Sequence, residues 1–206
     1  MRISLADDNN ERFLKHPAWA CFGLRPAFGQ HTSAEHETLG RWAAGRFRLV
    51  EIGVAEGVSA LALRKAMHPE GVLYLIDPFY LSRIPALNFM RRTARRIVNS
   101  CRKGRVVWIQ QFSGEAALNW NQGIDLLLID GDHEESAVER DWQLWSAHVD
   151  VGGVVLFHDA RLFEGGWTTP DYGPVRVVNR LFRVSRIPGW TIAEEVDSLV
   201  VVKRHA

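Results

Sequence analysis

Long apolar runs are missing from this chain, and no stretch approaches the roughly 20 consecutive apolar residues that a bilayer-spanning helix needs. A soluble protein with no membrane partner is therefore expected. Cysteine is scarce too: Cys21 and Cys101 are the only two, and their positions form no metal or redox motif. The opening MRISLADDNNERFLKH lacks the apolar core of a signal peptide, so the expectation is a cytoplasmic protein in a reducing environment. Nor does charge of one sign dominate. The 25 Lys and Arg face 24 Asp and Glu for a net charge of +1, a balance that calls for no nucleic acid partner. The local exception, RRTARR at 91–96, reads as the solvated face of a helix whose inner stripe is Leu87, Met90, Ala94, Ile97 and Cys101; an anion-binding patch is the alternative. There is no internal repeat or low-complexity segment.

What is present is an alternating pattern. FRLVEIG near 47, VLYLIDP near 72, VVWIQ near 106, IDLLLIDGD near 124 and GGVVLFHDA from 152 are apolar and rich in β-branched residues, and they read as buried parallel strands. Helical patterns such as Leu61 to Met67 and Ala86 to Cys101 lie between them. The expected fold class is α/β, a Rossmann-like doubly wound sheet. WTIAEEVDSLVVVKR, with two strand-like runs around Val196 to Ser198, adds an antiparallel C-terminal hairpin. Val138, Trp142, Trp145 and Val149 recur at spacings that pack one helix face on the sheet. Thr32 followed by Glu35 has capping-box spacing. At 206 residues the chain suits a single domain, 1–206. Residues 1–30 form an N-terminal extension that is harder to assign, a candidate lid or homodimer contact.

Two clusters carry chemistry. EIGVAEGVS, residues 51–59, stands where the first strand turns into a helix, and Gly53 and Gly57 would let the backbone approach a ligand closely. Asp77 ends the next strand, about twenty-five residues on, where an acid can accept both hydroxyls of a ribose. Nicotinamide enzymes favour G-x-G-x-x-G, whereas this loop has Ala55 in the second glycine position and Glu51 two residues before the first glycine.

With its terminal hairpin, E-x-G-x-x-x-G plus an acid after strand two resembles the class I methyltransferases that use S-adenosylmethionine, over about residues 30–203. HTSAEHETL, EIGVAEGVS, IDGDH and GGVVLFHDA in that order are similar to the cation-dependent O-methyltransferases of the catechol, caffeoyl-CoA and macrolide-sugar kinds. The resemblance implies that Glu51 lies near the methionine part of the cofactor, that Gly53 and Ser59 line its loop with Ala55 and Gly57, and that Asp77 holds the ribose. By the same likeness Pro78 and Phe79 meet adenine, Ser113 and Gly114 lie at its far edge, Asp130 closes the cofactor site, and Thr32 approaches from the N-terminal side.

The second cluster, IDGDHEESAVERDW, follows the most hydrophobic strand with Asp130, Asp132, His133, Glu134 and Glu135. Buried charge needs a partner. In the sheet order the resemblance implies, Asp130 and Asp159 end neighbouring strands about 4.8 Å apart, and their repulsion of roughly 3 to 4 kcal/mol invites a cation. Mg2+ or another divalent ion is expected on Asp130 and Asp159. The catechol-type enzymes carry Asn where this chain has Ala160; His158 could ligate instead, favouring Mn2+, Fe2+ or Zn2+. Asp132 either adds a ligand or caps the next helix, and Glu134 and Glu135 suit its positive end. His133, three residues after Asp130, is the candidate general base, with His158 as competitor and a loop histidine without a role as the plain alternative. RLFEGGWTTPDYGP, residues 161–174, is either a lid over a flat or sugar-like acceptor or a surface loop.

The expected activity is methylation of a small-molecule hydroxyl by S-adenosylmethionine, with catalytic residues His133, Asp130 and Asp159. A NAD-dependent oxidoreductase on the same fold, or a nucleoside-binding module without turnover, are the alternatives.

Overall fold

The computed structural model describes residues 3–5, 17–79 and 88–206. In chain order they form β1 (Ile3–Leu5), α1 (Pro17–Cys21), β2 (Ala27–Gly29), α2 (Ser33–Ala43), β3 (Arg48–Ile52), α3 (Val58–Ala66), β4 (Val72–Ile76), α4 (Phe89–Val98) and β5 (Arg105–Ile109). Then come α5 (Ser113–Ala117), β6 (Ile124–Ile129), α6 (Glu135–Trp145), β7 (Val149–Phe157), α7 (Gly173–Val178), β8 (Trp190–Val196) and β9 (Leu199–Arg204). No helix among the described residues is long and apolar enough to cross a membrane.

Seven strands make the main sheet in the order β5-β4-β3-β6-β7-β9-β8. β3 to β7 are parallel, while β9 runs antiparallel to β7 and β8. This is the doubly wound sheet with a terminal hairpin that the alternating sequence predicts. Side chains alternate across it. Val50, Ile52, Leu127 and Ile129 face a core with Trp142, Trp145 and Phe182, whereas Leu49, Leu126 and Leu128 face one with Leu39, Leu63 and Ala94. Burial on both faces explains why the strands read as continuous apolar runs. The α6 face expected to pack on the sheet does so, with Val138, Trp142, Trp145 and the following Val149 all buried.

Helix α2 opens with the capping box: Thr32 Oγ1 accepts from Glu35 N at 3.1 Å, and Thr32 N donates to Glu35 Oε2 at 2.8 Å. The helical pattern expected over 86–101 is realised as α4, which is shorter; Leu87 of its inner stripe lies outside the described residues. Ala94 and Ile97 are buried as expected. Its arginines are partly occupied in holding the fold, since the Arg95 guanidinium lies 5.3 Å over the Trp108 ring and Arg96 donates to the Ala20 carbonyl.

The described part of the N-terminal extension packs on the body of the protein. β2 pairs in parallel with β1, and Glu56, in the loop after β3, ties this segment down. It accepts both terminal nitrogens of Arg25 and, at 2.7 Å, the Phe28 N–H. That contact brings His31 over the sheet's carboxyl edge.

The strand order reverses between β3 and β6, where helices leave to opposite faces. In open α/β sheets such a switch point, at the carboxyl ends of the strands, is where ligands bind.

Candidate active site

A cleft of about 1250 Å³ opens at that switch point. One wall is the loop after β3. Gly53 has φ of 86°, a conformation that side-chain-bearing residues rarely adopt, and a Cβ there would overlap the carbonyl oxygen of Asp130. Asp77 then knits two loops together: its Oδ2 accepts from Val54 N at 2.9 Å and Ala55 N at 3.1 Å, and its Oδ1 accepts from Phe79 N at 2.7 Å. These bonds use both lone pairs of Oδ2 and one of Oδ1, so the carboxylate keeps one acceptor site, on Oδ1. Asp77 is partly exposed to the cleft, so a vicinal diol can reach it.

Gly53, Ala55, Asp77, Pro78 and Phe79 line this end, with Ser113 and Gly114 opposite. Ser113 Oγ donates to Asp141 Oδ1, and Asp141 is itself a cleft residue whose carboxyl burial pushes upward. Other residues expected here stand behind the surface. Glu51 is fully buried and accepts from the Ser59 hydroxyl. Burial pushes its carboxyl well above the usual range, against the Ser59 hydrogen bond and with added repulsion from Asp130 and Asp77. Gly57, at φ of 82°, precedes α3 and backs on Ala94. Thr32 is committed to its helix cap and, through its hydroxyl, to Asp197 Oδ2 at 2.5 Å.

The other end of the cleft is the acid and histidine cluster. Ile129 pairs with Phe157 across β6 and β7, so Asp130 and His158 emerge side by side with Asp159 just beyond. His158 Nδ1 lies 3.0 Å from Asp130 Oδ1 and 3.4 Å from Asp159 Oδ1. His133 Nε2 is 3.2 Å from Asp159 Oδ2 and 3.9 Å from Asp130 Oδ1. The three residues expected to act together, Asp130, His133 and Asp159, are therefore in mutual reach. His133 keeps 31% of its side chain exposed, enough to meet a ligand, and stacks on Tyr172 with ring centroids 5.5 Å apart.

Burial opposes charge on Asp130, but the imidazoles of His158 and His31 outweigh it and hold the carboxyl far below its usual range. Burial would lower the His158 pKa, but Asp130, then Glu35 and Asp159, push it well above the ordinary imidazole value. Asp159 has φ of 55°, a left-handed backbone that Asp tolerates better than most residues. Its Oδ1 is pinned by Trp167 Nε1 at 2.7 Å and lies 3.2 Å from Ser198 Oγ, whose single hydrogen goes to Glu35.

The segment 161–174 closes over this cluster. Besides the bond from Trp167, a Cβ on Gly173 would overlap the His133 carbonyl, so this segment lies directly on the loop after β6. Glu135, expected only at the helix start, also pairs with Arg176 at 3.0 Å and Arg180 at 2.5 Å. Asp132 accepts from Glu134 N at 3.0 Å in the turn before α6, whose first-turn N–H groups receive no side-chain cap, so the capping alternative is not realised.

Sequence reasoning missed His31, the tertiary role of Glu35, and Asp141. His31 lies in the unassigned extension and carried no local signal. Glu35 had one, as the third residue of the capping box, but that accounted only for its bond to Thr32. Asp141 sits three residues after Val138 on the α6 face read as core, and an acid in that stripe was the available sign.

The chain matches a family model described as "Methyltransferase domain" over residues 50–160. It therefore belongs to that methyltransferase family. An uncharacterized protein of Acanthamoeba polyphaga mimivirus is 31% identical over 115 residues, covering 53% of this chain and 50% of that protein. The chain thus spans about half the length of this curated relative. Among solved structures, the O-methyltransferase TomG from Streptomyces achromogenes, in complex with SAM, superposes with a TM-score of 0.66 at 16% identity, covering 96% of this chain and 92% of that one. An rRNA methylase from Streptococcus thermophilus gives 0.55 at 10% identity, over 84% and 95% of the two chains. At these identities the structural likeness concerns the fold.

Proposed function

We propose that the protein is an S-adenosylmethionine-dependent methyltransferase acting on a hydroxyl of a small molecule, with a divalent cation at the acid and histidine cluster. The observation that carries this reading is the meeting, in one cleft, of the Gly53 and Asp77 loops with Asp130 and His133, the latter backed by the buried Asp159. Bound in the first half, S-adenosylmethionine supplies a methyl group already activated on a sulfonium. Asp77 would take the ribose hydroxyls, Pro78 and Phe79 would face the adenine, and Ser113 with Asp141 would offer polar contacts at its far edge.

The protein's remaining work is placement and proton removal. Asp159, held by Trp167, sits at ion-pair distance from His133 and would orient the imidazole toward the acceptor. As the acceptor oxygen bonds to the methyl carbon and the carbon–sulfur bond breaks, His133 would receive the hydroxyl proton. The residues fit a cation on chemical grounds: two overlapping sets of carboxylate and imidazole donors share His158, one through Asp130 and one through Asp159, and both ring nitrogens of buried His158 lack an aligned hydrogen bond. Such an ion polarises a chelated hydroxyl and lowers its pKa. Tyr172 gives the acceptor half an aromatic wall suited to a flat ring or a sugar.

A small acceptor is favoured over nucleic acid by the near-neutral chain and by the occupied arginines of α4. Transfer of labelled methyl from S-adenosylmethionine to a panel of catechols and sugar hydroxyls tests the reading. Labelling of an acceptor that is lost in His133→Asn supports it. Cofactor binding with no transfer to any hydroxyl would leave the non-catalytic binding module.

A further inference from the structure

His31 enters the cluster from outside the strands that build the rest of it. It is 3% exposed, both its ring nitrogens lack a hydrogen-bond partner, and its Nε2 lies 3.5 Å from Asp130 Oδ2. Its ring centroid is 4.5 Å from that of His158. A buried imidazole with neither nitrogen satisfied is costly, and here it borders a carboxylate and a second imidazole in the same condition. Candidate ligand atoms of His31, Asp130 and His158 all lie within 4.8 Å of one another.

We infer that His31, Asp130 and His158 form a binding site for a divalent transition ion of the Zn2+, Fe2+ or Mn2+ class, and that the site discriminates against Mg2+. Donors about 2.1 Å from a common ion stand about 3.0 Å apart when adjacent in an octahedron, about 3.4 Å in a tetrahedron and about 4.2 Å when opposite. The 3.5 Å between His31 Nε2 and Asp130 Oδ2 and the 3.0 Å between His158 Nδ1 and Asp130 Oδ1 fall in that range, each histidine facing its own oxygen of a carboxylate that would bind through both. Two imidazoles and one carboxylate suit borderline ions, whereas Mg2+ prefers an all-oxygen shell.

The surroundings support the assignment independently. Ligating histidines usually present the other ring nitrogen to a carboxylate or carbonyl, which fixes the tautomer. His158 does this: Nδ1 faces Asp130 while Nε2 faces Glu35 Oε2 at 3.5 Å. Glu35 is fully buried, and its Oε1 accepts from Ser198 N at 2.7 Å and Ser198 Oγ at 2.6 Å. The helix cap of α2 thus doubles as the support behind the ligand. A second overlapping group, His133, His158 and Asp159, lies on the cleft side and leaves His133 accessible. The ion's task of orienting an acceptor rests on the methyl-transfer reading; its binding does not.

The test is calorimetric titration of the full chain, stripped with EDTA, with Zn2+ and separately with Mg2+, for the wild type and His31→Gln. S-adenosylhomocysteine is titrated into the same samples. We expect one equivalent of tightly bound Zn2+, Mg2+ weaker by about a hundredfold or more, and a loss of about tenfold or more in Zn2+ affinity in His31→Gln, with nucleoside binding retained. X-ray absorption of the Zn2+-loaded wild type, which needs no variant to fold, should show two imidazole ligands. Absence of Zn2+ binding, Mg2+ binding as tight as Zn2+, unchanged affinity in His31→Gln, or a single imidazole would each overturn the inference. Zn2+ binding without S-adenosylhomocysteine binding would keep the metal site and remove the methyl-transfer reading, and the reverse pattern would do the opposite.

Discussion

Glu35 and Ser198 lie far apart in sequence, yet the buried Glu35 carboxylate accepts both the backbone N–H and the hydroxyl of Ser198, at 2.7 and 2.6 Å. Through this contact the start of α2 is fastened to the turn between β8 and β9. The same carboxylate reaches His158. Burial alone would raise its pKa, but His158, Ser198 and Thr32 bring it below the usual value. Glu35→Ala would leave these donors without an acceptor in a sealed place. We predict a loss of about 3 kcal/mol of folding stability, measured by urea denaturation; a change within experimental scatter would show that the contact is not formed in solution.

Gly53 is the tightest point between the two halves of the cleft. In Gly53→Ala the methyl group meets the Asp130 carbonyl at a backbone angle unfavourable for alanine. We predict destabilisation by about 2 kcal/mol or more together with weakened S-adenosylhomocysteine binding, read by thermal melting with and without ligand. A variant that binds like the wild type would contradict the role given to this loop.

Glu51 should make stability depend on pH. Burial raises its folded pKa well above 4.5, so the unfolded chain loses the proton first. Stability associated with the neutral carboxyl is complete below the unfolded value and declines as pH rises toward the folded one. Glu51→Gln keeps an acceptor for Ser59 and cannot ionise. Relative to this variant, the wild type should lose stability as pH rises above the ordinary carboxyl value of 4.5; urea melts that stay parallel as pH rises would refute the neutral, buried state.

Much of this architecture is legible in the sequence because its physics is local. The strands of a parallel sheet buried on both faces must be continuous apolar runs, and those are visible at 48–52, 72–76 and 124–129. Asp77, Asp130 and Asp159 are legible for the same reason, as acids placed where such runs end. His31 was not, since it reaches the cluster through a chain path fixed by Glu56 gripping Arg25 and Phe28, a tertiary contact with no period or spacing. Nor did spacing separate residues facing the cleft from those behind it: Glu51 and Ser59 belong to the right loop but are buried and bonded to each other inside the protein.

That grip yields a further expectation. Glu56→Ala removes the acceptor for Arg25 and Phe28, so amide exchange across residues 25–31 should speed up while the sheet stays protected. Uniform exchange in both proteins would show that the N-terminal segment is held by other contacts.

His133 carries the catalytic argument. It stacks on Tyr172, faces Asp159 and retains access to the cleft. His133→Asn should lower kcat by about a hundredfold or more and leave S-adenosylhomocysteine affinity close to the wild type. An equal loss in binding would recast it as a structural residue.

The central claim, that the Gly53 and Asp77 loops hold S-adenosylmethionine, is tested most directly by calorimetric titration of the purified chain with S-adenosylhomocysteine and, in parallel, with NADH. The account predicts saturable binding of S-adenosylhomocysteine, weakened in Asp77→Ala, and no binding of NADH. Binding of NADH alone, or of neither nucleoside, would contradict it.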